Sequence, residues 1–492
     1  MEIREIAGIL PFLCAVTGGL FVILLDSFAH PETPRKFLGA FSLVFLGAMF
    51  MSCFWNMGTG PYPAFSELIT VDDFSRFLSA IFAVSAALAA LIAMGRLPDE
   101  GAAKGEFYSL LLFAAGGASL LTQATDMVSL FIGIECMSIP AYIMAAAMRR
   151  NPSSAEAGFK YFVLGAFSSG FLVYGIALLY GAAGGTGFAD IASVVASGQW
   201  SGQWSGMLLI VGTVFVITGL SFKIAAVPFH MWAPDVYQGS PTPATSFFAT
   251  AVKAAAFAAM LRLLYMAVPG LKSNLGVLEN LGWHDLVWVL AVLTMTIANI
   301  VALVQTDAKR ILAYSSIAHA GYLLIGLISG TDGAAAIMFY LVIYTFMTAG
   351  AFALIAFFEH SGGGTSLKEY AGLGRRYPLA AVALSIFLFS LAGIPPTAGF
   401  MGKFYIFKAA IGSDLIVLTV IAVLNSMVSA FYYLKIIVAM YMSEDSAKSA
   451  PELSKSMAIG VAVAICLLFV FVLGVYPGLL LDAAKASVLP LF

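Results

Sequence analysis

The sequence predicts an all-α polytopic membrane protein with about fourteen transmembrane helices. Three observations carry that expectation. Of 492 residues, 61% are hydrophobic and only 10% charged, whereas a soluble domain carries about 25% charged residues. Mean hydropathy is +0.96, so there is too little polar surface to cover a globule of this length. The apolar residues also fall in tracts of about 20, the length a helix needs to cross the hydrocarbon. A soluble enzyme, a disordered chain and a nucleic-acid-binding domain, which needs a basic face, are excluded. No partnership with nucleic acid is expected.

The tracts lie near 7–25, 37–55, 74–94, 107–122, 127–148, 159–183, 206–228, 242–268, 285–304, 310–328, 334–358, 379–407, 414–442 and 456–478. Thr122–Asp126 is the short polar break that separates the fourth from the fifth. The start, Met1-Glu2-Ile3-Arg4-Glu5, is not a basic n-region and no A-x-A site follows the first tract, so that tract reads as a retained helix. Cys14, Cys53, Cys136 and Cys466 share no C-x-x-C spacing and read as small buried hydrophobes. No metal site, nucleotide fingerprint or haem attachment is visible, so no cofactor is expected in this chain.

Lysine and arginine orient the spans. Alternate loops hold Arg35, Lys36, Arg96, Lys104, Arg149, Arg150, Lys160, Lys309, Arg310, Lys368, Arg375, Arg376, Lys448 and Lys455. The opposite loops and the ends hold only Arg4, Lys272, Lys408 and Lys485. The positive-inside rule puts the first set in the cytoplasm, or the matrix or stroma equivalent, and both termini outside.

Six basic residues fall within spans: Arg76, Lys223, Lys253, Arg262, Lys403 and Lys435. Arg76 and Arg262 are near span ends, where they can snorkel, and Lys435 can do so from deeper. Lys223, Lys253 and Lys403, with Glu135, are harder to excuse. Four such charges oppose insertion by roughly 10–14 kcal/mol before any pairing. One reading is a structural ion pair with snorkelling lysines. The other is a proton path through the bundle. A carboxylate about 4 Å from a lysine is worth about 4 kcal/mol at an effective dielectric of about 20, and about half that at about 8 Å. Moving Glu135 by a few ångströms therefore changes how firmly a buried lysine holds its proton.

Helix breaks flank two of these lysines. Lys223 lies five residues before Pro228, and Lys403 lies seven residues after Pro396 in Gly393-Ile394-Pro395-Pro396. A proline removes an N–H and frees a carbonyl, which at membrane depth is tolerated beside a wet or protein-walled cavity. The reversed order suggests two inverted five-helix repeats, spans 4–8 and 9–13, with broken helices at spans 7 and 12. The expected organisation is a three-helix segment over 1–106, a first repeat over 107–268, a second over 269–442 and a C-terminal helix over 443–492. His230 sits just past Pro228. His319, beside Tyr314 and Ser315, reads either as a hydrogen-bonded core residue or as a relay member.

Several motifs resemble the antiporter-like membrane subunits of proton-pumping NADH:quinone oxidoreductase (respiratory complex I), subunit N in particular. They are Phe222–Pro243 (FKIAAVPFHMWAPDVYQGSPTP) followed by Lys253, Gly399–Phe404 (GFMGKF), Ile132–Glu135 (IGIE) and Ala313–Tyr322 (AYSSIAHAGY). Cys136 stands where a leucine is more usual in that family. The resemblance implies a proton-translocating membrane-arm subunit without its own redox centre. NADH, FMN, iron–sulfur clusters and quinone would be held by other subunits. Its partners would be a second antiporter-like subunit, small membrane subunits and the lipid of a bacterial inner (plasma) membrane, with both termini periplasmic. By position, Glu135 and Lys223 would form the coupling pair of the input half-channel, Lys253 the central relay and Lys403 the outward gate. His230, His319, Tyr314, Ser315 and Lys435 are secondary candidates. The rival class is a subunit of a multi-subunit monovalent cation/proton antiporter, which shares this fold.

Overall fold

The computed structural model describes residues 3–30, 33, 35–55, 57–97, 105–198, 204–272, 282–360, 364–443 and 456–492. Lys104, Lys448 and Lys455 lie outside the described residues. The chain is a multi-pass helical membrane protein. Among the described residues, eleven helices are long and apolar enough to cross a bilayer, and a helix lies on each of the fourteen expected tracts.

The first third holds α1 (Ile3–Gly8), α2 (Leu10–Phe28), α3 (Lys36–Ser52), α4 (Asp73–Arg96) and α5 (Gly105–Gln123). Between α3 and α4 the expected all-helical segment contains a small antiparallel hairpin, β1 (Tyr62–Ala64) and β2 (Ile69–Val71), with Tyr62 opposite Val71. Asp72 then starts α4 by a reciprocal cap. Its carboxylate accepts from the Ser75 N–H at 2.9 Å, and the Ser75 hydroxyl accepts from the Asp72 N–H. At the polar break after α5, Asp126 caps α6 (Met127–Ala145) in one direction only, accepting from the Val128 N–H at 2.7 Å.

α7 (Pro152–Ala183) leads to a short helix, α8 (Phe188–Ser197), that no expected span covers. α9 (Trp204–Lys223) ends on Lys223 itself, and the chain turns through Pro228 into α10 (Ala233–Gly239). The eighth span begins as α11 (Thr242–Phe247), widens into one π turn (Phe248–Val252) and resumes as α12 (Lys253–Met266).

The rest comprises α13 (Trp283–Val304), α14 (Ala308–Leu327), α15 (Gly330–His360), the short α16 (Leu373–Arg376), α17 (Pro378–Ala392), α18 (Ala398–Gly412), α19 (Ile416–Met442), α20 (Met457–Val475) and α21 (Gly478–Val488). The twelfth span is thus two helices, broken at Gly393–Thr397. The C-terminal region holds two helices rather than the one expected, because Pro477 ends the run of α20 and α21 turns back against α15.

Burial separates the centre from the rim. The eighth span is wholly buried, whereas α2, α7 and α20 keep most of their surface for lipid or neighbours. α14 is buried along nearly its whole length. It is not among the eleven apolar helices, because Lys309, Arg310, Tyr314, the two serines and His319 lower its hydropathy. The most polar long helix therefore stands at the centre of the bundle, against α13, α15, α18 and α10.

Two expectations about snorkelling fail. Arg262 is 1% exposed and its guanidinium pairs both oxygens of Asp72 at 2.8 Å, with Nε donating to the Thr122 carbonyl at 2.7 Å. Its helix is enclosed on all sides, so no path to water exists along the side chain. Arg76 is also buried and pairs with Asp73 at 3.0 Å.

Candidate functional site

Glu135, Ser138 and Tyr142 recur at i, i+3 and i+7 on α6, so they share one helix face. Glu135 is half-buried and accepts from the Ser169 hydroxyl of α7 at 2.6 Å. Lys223, at the end of α9, donates to Ser138 Oγ at 2.9 Å and to Tyr142 Oη at 2.7 Å. No ion pair within 4.0 Å joins Glu135 to Lys223; both are held on neutral hydroxyls instead, Glu135 on Ser169 of α7 and Lys223 on Ser138 and Tyr142 of α6.

Protein groups meet two backbone atoms of the break after Lys223. Trp232 Nε1 donates to the Phe222 carbonyl at 2.9 Å, and the Val227 N–H donates to Thr294 Oγ1 of α13 at 3.0 Å. Trp232 is fixed by stacking on Tyr161, with centroids 4.4 Å apart, and Tyr161 packs edge-on against Tyr142. The aromatic stack therefore ties the broken turn to a hydroxyl that holds Lys223. His230, half-buried, lies at this turn and is not joined to the lysine.

Lys253 is the first residue after the π turn. Its ammonium donates to the carbonyl and the hydroxyl of Ser316 on α14 and sits 5.5 Å from the Tyr344 ring centroid. The adjacent Ser315 bonds the Tyr433 hydroxyl. Tyr433 Oη lies 3.0 Å from His319 Nε2, and His319 Nδ1 bonds the Tyr340 hydroxyl. Ser315, Tyr433, His319 and Tyr340 are thus one string of hydrogen bonds in the buried centre. Tyr314 lies on α14 outside this string.

Lys403 closes the other break. Its ammonium donates to the Ala392 carbonyl at 2.8 Å and to Ser426 Oγ of α19 at 2.9 Å, 5.2 Å from the Tyr322 ring centroid. The carbonyl it caps is one that the end of α17 leaves free. Gly393 has φ +89°, a left-handed backbone conformation that favours glycine. Lys435 is elsewhere. It donates to the Leu303 and Gln305 carbonyls at 3.2 and 2.8 Å, at the C-terminus of α13, where a cation suits the helix dipole.

Sequence reasoning missed several members. Ser138 and Tyr142 had a signal, the i+3 and i+7 spacing from Glu135. Ser169, Ser426, Tyr340 and Tyr433 had none, since a serine or tyrosine in a membrane helix is unremarkable until its neighbours are known. A further polar group spans the face of α10. Asp235 accepts from Lys160 at 2.6 Å and from Arg310 at 2.7 Å, joining α7, α10 and α14.

Residues 124–429 match the family model described as "NADH:quinone oxidoreductase/Mrp antiporter, TM". The chain belongs to this family. It is 47% identical to NADH-quinone oxidoreductase subunit N of Trichlorobacter lovleyi over 88% of this chain and 87% of that one. It is 42% identical to NADH-quinone oxidoreductase subunit N 1 of Sorangium cellulosum over 97% of each. A chain of respiratory complex I from Thermus thermophilus with bound aureothin superposes with a TM-score of 0.79 at 33% identity, covering 97% of this chain and 100% of that one. The quinone-oxidoreductase membrane family is therefore the frame in which the buried lysines are to be read. All four principal candidates, Glu135, Lys223, Lys253 and Lys403, lie within the matched region.

Proposed function

We propose that this chain translocates protons as an antiporter-like, subunit N-type member of the membrane arm of an NADH:quinone oxidoreductase. One observation carries the reading. Lys223, Lys253 and Lys403 each rest on at least one hydroxyl and beside an aromatic ring, with no carboxylate within 4.0 Å. A hydroxyl can accept from an ammonium or donate to an amine. Both protonation states are then solvated without rebuilding the site.

Glu135 and Lys223 act as the coupling pair. A charge signal from a neighbouring subunit shifts Glu135 relative to Lys223, which yields its proton toward Lys253 as the central relay. The Ser315–Tyr433–His319–Tyr340 string carries charge onward, and Lys403 releases a proton outward. Each proton moved against 100 mV costs about 2.3 kcal/mol, and redox chemistry in other subunits supplies it. NADH, FMN, iron–sulfur clusters and quinone belong to those subunits. The partners are a second antiporter-like subunit and small membrane subunits.

Fourteen spans in two inverted five-helix repeats fit this role, one over 107–268 and one over 269–442, flanked by 1–106 and 443–492. The two broken helices, at spans 7 and 12, support that symmetry. In a bacterial inner membrane, the basic-residue bias supports both termini being periplasmic.

Lys223→Ala tests the reading in the assembled complex. Proton pumping is expected to fall while the complex still forms; normal pumping would sink it and leave a passive scaffold. The family description also names antiporters, which keeps a cation/proton antiporter subunit as the second reading. Sodium-dependent transport by the isolated chain, without any redox activity, would favour it.

A further inference from the structure

A cavity of about 460 Å³ lies at the inner ends of α4, α14 and α15, lined by Arg96, Glu156, Asp235, Lys309, Glu359 and Thr365 among others. This is the face that the lysine and arginine bias assigns to the cytoplasm. Glu359 is among the residues that line it. Its two carboxylate oxygens lie 3.6 Å from Lys309 Nζ and 3.7 Å from Arg96 Nε, and Thr242 Oγ1 donates to it. Lys309 meanwhile donates to the Ser240 carbonyl at 2.8 Å. These ion contacts are loose beside the 2.8 Å bidentate pair of Arg262 and Asp72.

Thr242 opens the helix that carries Lys253. Ser246 follows one turn further in, wholly buried, and its hydroxyl has no hydrogen-bond partner. Thr250 comes one turn later and Lys253 after it. Thr242, Ser246 and Thr250 recur every four residues, so they lie along one side of the helix. From Thr242 to Lys253 the rise is about 16 Å. A buried hydroxyl without a protein partner is a place for water, and Ser246 stands midway between the cavity and the lysine.

We infer that Glu359 is a proton-uptake residue, and that this cavity is an inlet feeding Lys253 directly, separate from the Glu135–Lys223 pair. The inference rests on the proton-translocating reading proposed above. A proton from cytoplasmic water adds to the Glu359 carboxylate to give the acid. It passes by way of Thr242, water at Ser246 and Thr250 to the neutral Lys253 amine, making the ammonium. Glu359 is left as the carboxylate, ready for the next proton.

The test uses the assembled complex in membrane vesicles. Glu359→Gln keeps the size and the hydrogen bond to Thr242 but cannot take up a proton. It is expected to lower proton translocation on the order of ten-fold or more, in line with removal of an acid–base group. Unchanged translocation overturns the inference. A purely structural bridge makes a different forecast, because removing both partners of a buried pair relieves the charge left unpaired. The double variant E359Q/K309Q should therefore stay defective in translocation if Glu359 takes up protons, and recovered translocation overturns the inference. If neither variant assembles, T242V decides: it interrupts the path without altering charge, and normal translocation in it overturns the inlet. Lys223→Ala is assayed alongside. A defect there with a normal E359Q removes the inlet alone, whereas normal Lys223→Ala removes the underlying function.

Discussion

Deleting Ala255 removes one residue between Lys253 and Arg262. The π turn holds one residue more than an α-helical turn, so it can take up the deletion by closing into an α turn, and both ends of the span keep their anchors. Thr242 stays bonded to Glu359 at one end, and Arg262 stays held by Asp72 and the Thr122 carbonyl at the other. Lys253 alone changes register, by about 100°. Its tip swings by roughly 8 Å, taking a side-chain reach of about 5–6 Å from the helix axis. It then loses both contacts to Ser316, about 1.5–3 kcal/mol each for a charged donor, or at least about 3 kcal/mol together. Deleting Ala251 instead removes the extra residue from the π turn itself and leaves Lys253 in register with both anchors. The assay is NADH-driven proton uptake in vesicles, normalised to the amount of subunit in the membrane. The Ala255 deletion should lower uptake at normal content, whereas the Ala251 deletion should stay near wild type in both. An Ala255 deletion with normal uptake would refute the idea that the wide turn sets the register of Lys253.

Tyr142→Phe removes the hydroxyl at 2.7 Å from Lys223 but keeps the ring packed on Tyr161. Losing a hydrogen bond to a charged group, about 1.5–3 kcal/mol, should slow pumping roughly ten-fold or more, and equal rates at matched complex content would count against it. Asp72→Ala strands the Arg262 charge in the interior and should cost about 3–5 kcal/mol, read as a lower melting temperature of the detergent-solubilised complex. The double change Asp72→Leu with Arg262→Met removes both charges and should recover that loss except for the Asp72 cap of α4, about 1 kcal/mol. No recovery at all would count against the stranded charge as the cause. In Gly399→Ala the new methyl would strike the backbone carbonyl of Ser390, and since backbone cannot step aside cheaply the broken twelfth span should lose about 1–3 kcal/mol or more. Normal thermal stability of that variant would mean the break is more pliable than its packing indicates.

Most of the architecture could be read from the chain because bilayer thickness imposes a single length scale. Fourteen tracts of the right length were each found to be helical, and the divisions at Thr122–Asp126, Pro228 and Pro396 fell where polar caps or prolines mark them. What could not be read is lateral position. Arg262 and Lys435 both stand near the end of a span in the sequence. One lies on a helix enclosed on every side and must meet a carboxylate; the other lies on a rim helix and reaches a helix terminus. The π turn left no trace in Phe248-Ala249-Thr250-Ala251-Val252, a string that would continue an ordinary helix.

The same blindness hid the feature that divides the buried cations by their partners. Arg262, Arg76 and Lys309 all have a carboxylate within 4.0 Å, whereas Lys223, Lys253 and Lys403 have hydroxyls, carbonyls and ring faces. At about 4 Å and an effective dielectric of about 20, a carboxylate adds about 4 kcal/mol in favour of the charged form, which fixes a cation in one state. Neutral dipoles add far less bias and can turn to meet either state. A chain that needed only to neutralise buried lysines would have placed Glu135 against Lys223. It holds that carboxylate on Ser169 instead, beyond ion-pair distance of the lysine, so the Coulomb term remains available to be switched on.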